Sequence, residues 1–182
     1  RMAKLFFSFF WGRTDVYAKR NVNKNGDAAY YPQCDNFWSD NCHRKLNTHI
    51  DCKDCKYCSY TRLDLPTILM HLRGNSYAAK DVIGVYPLFS DGTCRFLVFD
   101  FDNHEKNAEK KDFANTDDTW IEEVEAMRDI CSLNGIEPLI ERSRSGKGAH
   151  IWIFFDKPIS AAVVRKFGFA LLDKGAEQVN LK

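Results

Sequence analysis

Two carboxylates stand at the end of an apolar run in the second half of the sequence. Asp100 and Asp102 follow the β-rich segment 96–99. Because side chains alternate across a strand, both aspartates point to one face, with Cβ atoms roughly 6 to 7 Å apart. At that spacing both can reach one divalent cation or a closely spaced pair of cations. The alternative is a strand end with two solvated acids, which would repel each other without a cation.

A cationic loop of small residues lies further along the chain. Arg142, Arg144 and Lys147 alternate there with Ser and Gly, and His150 follows at the start of an apolar run. Amides, hydroxyls and cations of this kind bind phosphate oxygens, although the pattern is not a Walker motif. The alternative is a basic surface hairpin. Together with the aspartate pair, the loop indicates metal-assisted phosphoryl or nucleotidyl transfer.

Five of the seven cysteines crowd into the polar segment 30–60. The spacing predicts a structural zinc site with four thiolate ligands, and C-x-x-C is its stronger half: Cys34, Cys42, Cys52 and Cys55. Competing ligands are Cys58, His43 and His49. A redox pair is the alternative reading of C-x-x-C, but the βαβ context that it needs is missing. Because the segment lacks apolar periodicity, we expect the metal to organise it.

Hydrophobic patterns predict the elements that position these residues. Asp64 as N-cap, Pro66 in the first turn and Gly74 at the end predict a helix over 65–73. The β-rich runs 82–88 and 94–102 flank a Ser-Asp-Gly turn, which predicts an antiparallel hairpin.

The remaining elements follow from the same patterns. We expect a loop over 20–27, helices over 116–134 and from 160, and strands over 137–142 and 150–155. The apolar segment 1–11 lacks a cleavage site and predicts a buried helix rather than a signal peptide. The fold class is therefore α+β (two-layer α/β) with a mostly antiparallel sheet.

Composition limits the class of protein. The 182 residues carry 26 Lys and Arg against 25 Asp and Glu, so a contact with nucleic acid must come from a local basic cluster. Basic residues among the cysteines either face nucleic acid or are solvated: Arg44, Lys45, Lys53 and Lys56. The odd number of cysteines favours a reducing, cytoplasmic location, and no apolar run is long enough for a membrane span.

Two motifs resemble those of the archaeo-eukaryotic primase (AEP) superfamily. They are the strand Phe99-Asp100-Phe101-Asp102 and the loop and strand over 143–150. The sequence is more closely similar to the primase-polymerase domain of TOTE conflict systems. That similarity extends over nearly the whole chain and includes the segments 12–18, 31–34, 81–88 and 141–145 and the cysteine spacing.

The resemblance implies a primase catalytic core with an RRM-like half and a small zinc-binding module. Its parts would be an N-terminal aromatic segment (1–29), the zinc-binding module (30–60) and the remaining core (61–182). Asp100 and Asp102 would hold Mg²⁺ or Mn²⁺. The triphosphate of the incoming nucleotide would be bound by Ser145, Lys147 and His150.

The implied activity is template-directed nucleotidyl transfer on single-stranded or primed DNA, with nucleoside triphosphates as substrates. Helicase and nuclease modules would be partners in the same system. The superfamily's third motif supplies another metal-binding acid, which we expect beyond residue 182, so this chain could be inactive alone. Two other functions stay open: a metal-dependent nuclease using the same aspartates, and a non-catalytic, zinc-stabilised nucleic-acid binding module.

Overall fold

The structure, a computed structural model, describes residues 1–46, 50–102, 119–144 and 146–180. Contacts divide the chain into two compact units, Arg1–Asp91 and Gly92–Lys182. Over the described residues the two units contain four α-helices and two three-stranded antiparallel sheets. This architecture confirms the expected mixture of helices and mostly antiparallel strands.

The first unit contains one of the sheets and two helices. Its elements are α1 (Met2–Phe9), β1 (Ala18–Val22), β2 (Ala28–Pro32), α2 (Leu65–Arg73) and β3 (Ile83–Gly84), and the sheet order is β2-β1-β3.

Helix α2 has the bounds that its sequence predicts. The Asp64 carboxylate accepts a hydrogen bond from the Thr67 backbone N–H at 2.9 Å, and this bond lowers the pKa of Asp64. Gly74 ends the helix in the left-handed conformation, with φ of 60°. The helix contributes Ile68 to a small core with Tyr17 and Leu63.

Three expectations about the first unit are wrong. In the described chain the predicted hairpin of 82–88 with 94–102 does not form, because only Ile83–Gly84 is a strand and it pairs with β1. The predicted loop 20–27 contains the end of β1, and only its remainder forms the turn into β2. Helix α1 has no buried residue, since Phe6 and Phe7 pack only partly against the core.

The second unit places two helices against one face of a sheet. Its elements are β4 (Thr93–Asp102), α3 (Thr119–Leu133), β5 (Leu139–Arg142), β6 (Gly148–Ser160) and α4 (Ala161–Asn180), and the sheet order is β4-β6-β5. The core includes side chains from the central strand and both helices: Ile151, Ile153, Met127, Cys131 and Leu171. None of the helices described is long and apolar enough to cross a membrane.

Candidate active site and cysteine cluster

The register of β4 and β6 brings the predicted catalytic residues to one end of the sheet. Asp100 pairs with His150, and Asp102 pairs with Gly148. Asp100 Oδ1 lies 3.5 Å from His150 Nε2. Both aspartates are exposed, whereas Phe99, the residue directly before Asp100, is buried in the core. The alternation predicted for this strand is therefore confirmed.

His150 lies between two carboxylates. Glu141 is its register partner on β5, and Glu141 Oε2 lies 3.4 Å from His150 Nδ1. The Nδ1 atom is buried and makes no hydrogen bond to any described residue. The Trp152 indole N–H donates to the same Glu141 oxygen at 3.0 Å, which orients the carboxylate beside the imidazole.

Glu141 is a residue to which the sequence analysis gave no role. The hairpin register was the signal that could have found it. Counted outward from the loop, the strand position opposite His150 is Glu141. Because paired residues of an antiparallel ladder share a face, this acid has to stand on the same side of the sheet as Asp100.

The basic loop between β5 and β6 is held by its own backbone. Ser143 N–H donates to the Gly148 carbonyl, and Gly146 N–H donates to the Ser143 carbonyl, both at 2.9 Å. The Arg142 guanidinium donates to the Gly146 carbonyl at 3.0 and 3.2 Å. Arg142 therefore braces the loop, and Lys147 stays exposed at its end. The predicted nucleotide ligand Ser145 lies outside the described residues.

Gly148 sets how closely the loop end approaches β4. A Cβ atom at this position would overlap the carbonyl oxygen of Phe101 and lie 2.7 Å from Asp102 Oδ1. A side chain would force the two strands apart beside one of the predicted metal ligands.

The four predicted zinc ligands line one small cavity in the first unit. Cys34, Cys42, Cys52 and Cys55 surround a volume of about 20 Å³, together with Cys58 and His43. A volume of this size holds about one water-sized particle. His49, the other competing ligand, lies outside the described residues.

The thiols of this cluster affect one another's pKa values, and one of them accepts a backbone hydrogen bond. Burial raises the pKa of the Cys52 thiol, Arg44 opposes that rise, and the thiols of Cys34, Cys42 and Cys55 add to it. Burial and the neighbouring Cys34 raise the pKa of Cys58 to about 11. Ser59 N–H donates to Cys34 Sγ at 3.4 Å.

The donor types of both residue sets suit metals. Across the described ranges, no group of three or more His, Cys, Asp and Glu side chains is arranged to hold a metal ion. Four thiols are a donor set that zinc prefers, and paired carboxylates suit magnesium or manganese. The chemistry of both sets fits those metals.

Comparison with protein families decides the relationship. The family model described as the archaeo-eukaryotic primase domain of TOTE conflict systems matches residues 1–182. The chain belongs to this family. The resemblance carried by the aspartate and loop motifs is thereby confirmed, and the TOTE primase domain falls in a superfamily of primase/polymerase-type nucleotidyltransferases. No curated protein matches the chain.

Proposed function

We propose that this TOTE primase domain joins nucleotides on a DNA template in a reaction that depends on Mg²⁺ or Mn²⁺. One observation carries the proposal. The β4–β6 register sets the carboxylate pair opposite the first residues of β6, directly after the basic loop, with Asp100 opposite His150 and Asp102 opposite Gly148. The carboxylates for metal thus lie opposite the start of the strand that follows the phosphate-binding loop.

Asp100 and Asp102 are the proposed metal ligands. Both are exposed and share one face of β4, so their oxygens are available to a hard divalent cation. When bound, the metal would neutralise charge on the reacting phosphate. The carboxylates would also orient the triphosphate through the ions that they hold.

Lys147, His150 and Ser145 are the proposed triphosphate ligands. Lys147 is exposed at the end of the loop, and the His150 ring lies between Asp100 and Glu141 at 3.5 and 3.4 Å. Carboxylates on both sides of the ring would limit the orientations in which it meets a phosphate oxygen. Glu141 is then a positioning residue, because it acts through His150.

Nucleotide and metal binding test this function separately from turnover. We expect Lys147→Ala and His150→Ala to weaken binding of a labelled nucleoside triphosphate by about 1 to 3 kcal/mol per lost charge-assisted contact. Arg165→Ala on α4 is the matched control, since it removes a cation outside the loop. Mg²⁺-dependent DNA cleavage by a wild-type protein that binds no nucleotide would point to a nuclease instead.

The aspartates require their own test. Asp100→Asn and Asp102→Asn should each abolish nucleotide addition on primed and unprimed single-stranded DNA, because losing a metal ligand raises the barrier by several kcal/mol. Circular dichroism checks that the fold is retained. If both variants add nucleotides at near the wild-type rate, the metal assignment is wrong. Binding of single-stranded DNA by a wild type that binds no Mn²⁺ and no nucleotide would point to a binding module instead.

We also propose that Cys34, Cys42, Cys52 and Cys55 bind structural zinc. The support is their shared cavity of about 20 Å³, which suits a single ion. Zinc would contribute on the order of 10 kcal/mol of apparent binding free energy to folding of the segment 30–60. Elemental analysis of protein purified without chelator should find one zinc per chain, and its absence would remove the proposal.

The cellular location and the partner modules are also proposals. Seven free cysteines suit a reducing cytoplasm, where thiols stay available for metal. Within a TOTE conflict system, helicase and nuclease modules would accompany this domain, which would copy single-stranded DNA.

A further inference from the structure

A groove in the first unit combines positive charge with polar and aromatic side chains. It has a volume of about 470 Å³, and its lining includes the cations Lys19, Arg44 and Lys80. None of the described residues that line it is an aspartate or a glutamate. In a chain whose net charge is only +1, this is a local concentration of positive charge suited to an anion.

Aromatic rings stand beside these cations. Lys19 and Tyr31 are register partners on β1 and β2, so they share one face of the sheet. The Arg44 guanidinium lies over the Tyr31 ring, 4.1 Å from its centroid, and 5.3 Å from the centroid of Phe37. Phe37 in turn contacts Trp38 edge to face, at 4.9 Å between centroids.

Trp38 distinguishes this groove from a basic surface that only contacts water. Its side chain is 79% exposed, although exposing an indole to water is unfavourable. Its backbone is held in place, because Lys45 Nζ donates to the Trp38 carbonyl at 3.2 Å and lies 3.7 Å from Asp40. An exposed ring beside the cations of the groove is a platform on which a base can stack.

We propose that this groove binds single-stranded DNA, with phosphates at Lys19, Arg44 and Lys80 and a base stacked on Trp38. The bases of a duplex already stack on each other, so a ring platform favours the single strand. The inference deepens the proposed function, on which it rests for the identity of the strand as template. Binding itself requires neither Asp100 nor catalysis.

Fluorescence anisotropy with a labelled oligothymidylate, without nucleotide or divalent metal, tests the groove over a range of salt concentrations. Trp38→Ala should weaken binding on the order of 10-fold at every salt concentration, because it removes one stacked base. Lys19→Ala should reduce the slope of log affinity against log salt by about 0.7, the effect of one phosphate contact on a single strand.

Two control variants match these changes outside the groove. Tyr77→Ala removes another exposed aromatic ring, 89% accessible, and Lys24→Ala removes another lysine from the β1–β2 turn. Both should bind the oligonucleotide as the wild type does.

Three results would overturn the proposal. They are wild-type affinity in both groove variants, absence of binding by the wild type, and binding of duplex DNA or oligouridylate alone. Failure of the proposed function looks different. If the protein binds the oligonucleotide through Trp38 and Lys19 but never adds nucleotides, the proposed nucleotidyltransferase function is wrong and the proposed DNA-binding groove stands. If the Trp38 and Lys19 variants bind with wild-type affinity and add nucleotides, only the proposed groove is wrong.

Discussion

Replacing Gly148 by alanine should loosen the sheet and displace one of the two carboxylates. The added Cβ would overlap the Phe101 carbonyl oxygen, which is backbone and cannot rotate away, and would lie 2.7 Å from Asp102 Oδ1. The end of β6 and the end of β4 must therefore move apart, which displaces Asp102 on β4 from its present position.

The expected cost follows from two opposing effects. Overpacking against a rigid neighbour costs about 1 to 3 kcal/mol. Alanine also restricts the unfolded chain, which returns about 0.4 to 1 kcal/mol. Gly148→Ala should therefore lower the free energy of unfolding by up to about 2.6 kcal/mol, which urea denaturation can measure. It should also weaken Mn²⁺ binding, measured by calorimetry, because the displaced Asp102 is a proposed ligand.

Gly146→Ala provides the matched control from the same loop. Gly146 has φ of 73°, so alanine is strained there by about 1 to 2 kcal/mol. Among the described residues, the atoms nearest to its Cβ would belong to the Arg142 side chain, at 3.8 Å. Both variants should thus lose stability, but only Gly148→Ala should lose Mn²⁺ affinity. Unchanged stability and metal affinity in Gly148→Ala would refute the reasoning.

Three further predictions concern zinc, a helix cap and the core. Cys52→Ser should lose bound zinc while Cys58→Ser retains most of it, by elemental analysis; equal loss would include Cys58 among the ligands. Asp64→Ala should cost about 1 kcal/mol at neutral pH. Because the folded state lowers the pKa of Asp64, this stabilisation is present above its unfolded pKa of 3.8 and is lost as pH falls through the lower, folded value. Urea denaturation over that pH range measures it, and an uncharged Asp64→Asn cap showing the same pH dependence would contradict the cause. Ile151→Ala, at a side chain with 0% exposure, should cost about 2 to 5 kcal/mol in the same assay; a loss below 1 kcal/mol would contradict its place in the core.

The sequence predicted the elements that are determined by residues close together in the chain. The bounds of α2 follow from an N-cap carboxylate and a C-terminal glycine within one short segment, and the structure has both. The facing of Asp100 and Asp102 follows from strand alternation, which needs no knowledge of the partner strand.

Long-range pairing could not be read in the same way. The Ser-Asp-Gly turn after 82–88 suggested a hairpin, but Ile83 and Gly84 pair with β1, a choice decided by packing of distant segments. The role of Glu141 was missed because the hairpin register was not used. For α1, an apolar composition suggested burial, yet nothing in the segment 1–11 tells how much of its surface the rest of the chain covers.

The long-range pairing of β4 with β6 has a consequence for how the domain folds. β5 and β6 are joined through the short loop 143–147, whereas pairing Asp102 with Gly148 closes the whole segment 103–147. Closing a loop roughly nine times longer costs about 2 kcal/mol more in chain entropy. Asp100 and Asp102 therefore reach the basic loop only when β4 pairs with β6, which is a slow, non-local step of folding. We expect the amides of β4 to exchange hydrogen faster than those at the centre of β6 in native-state exchange, so that the proposed metal site opens before the centre of the sheet.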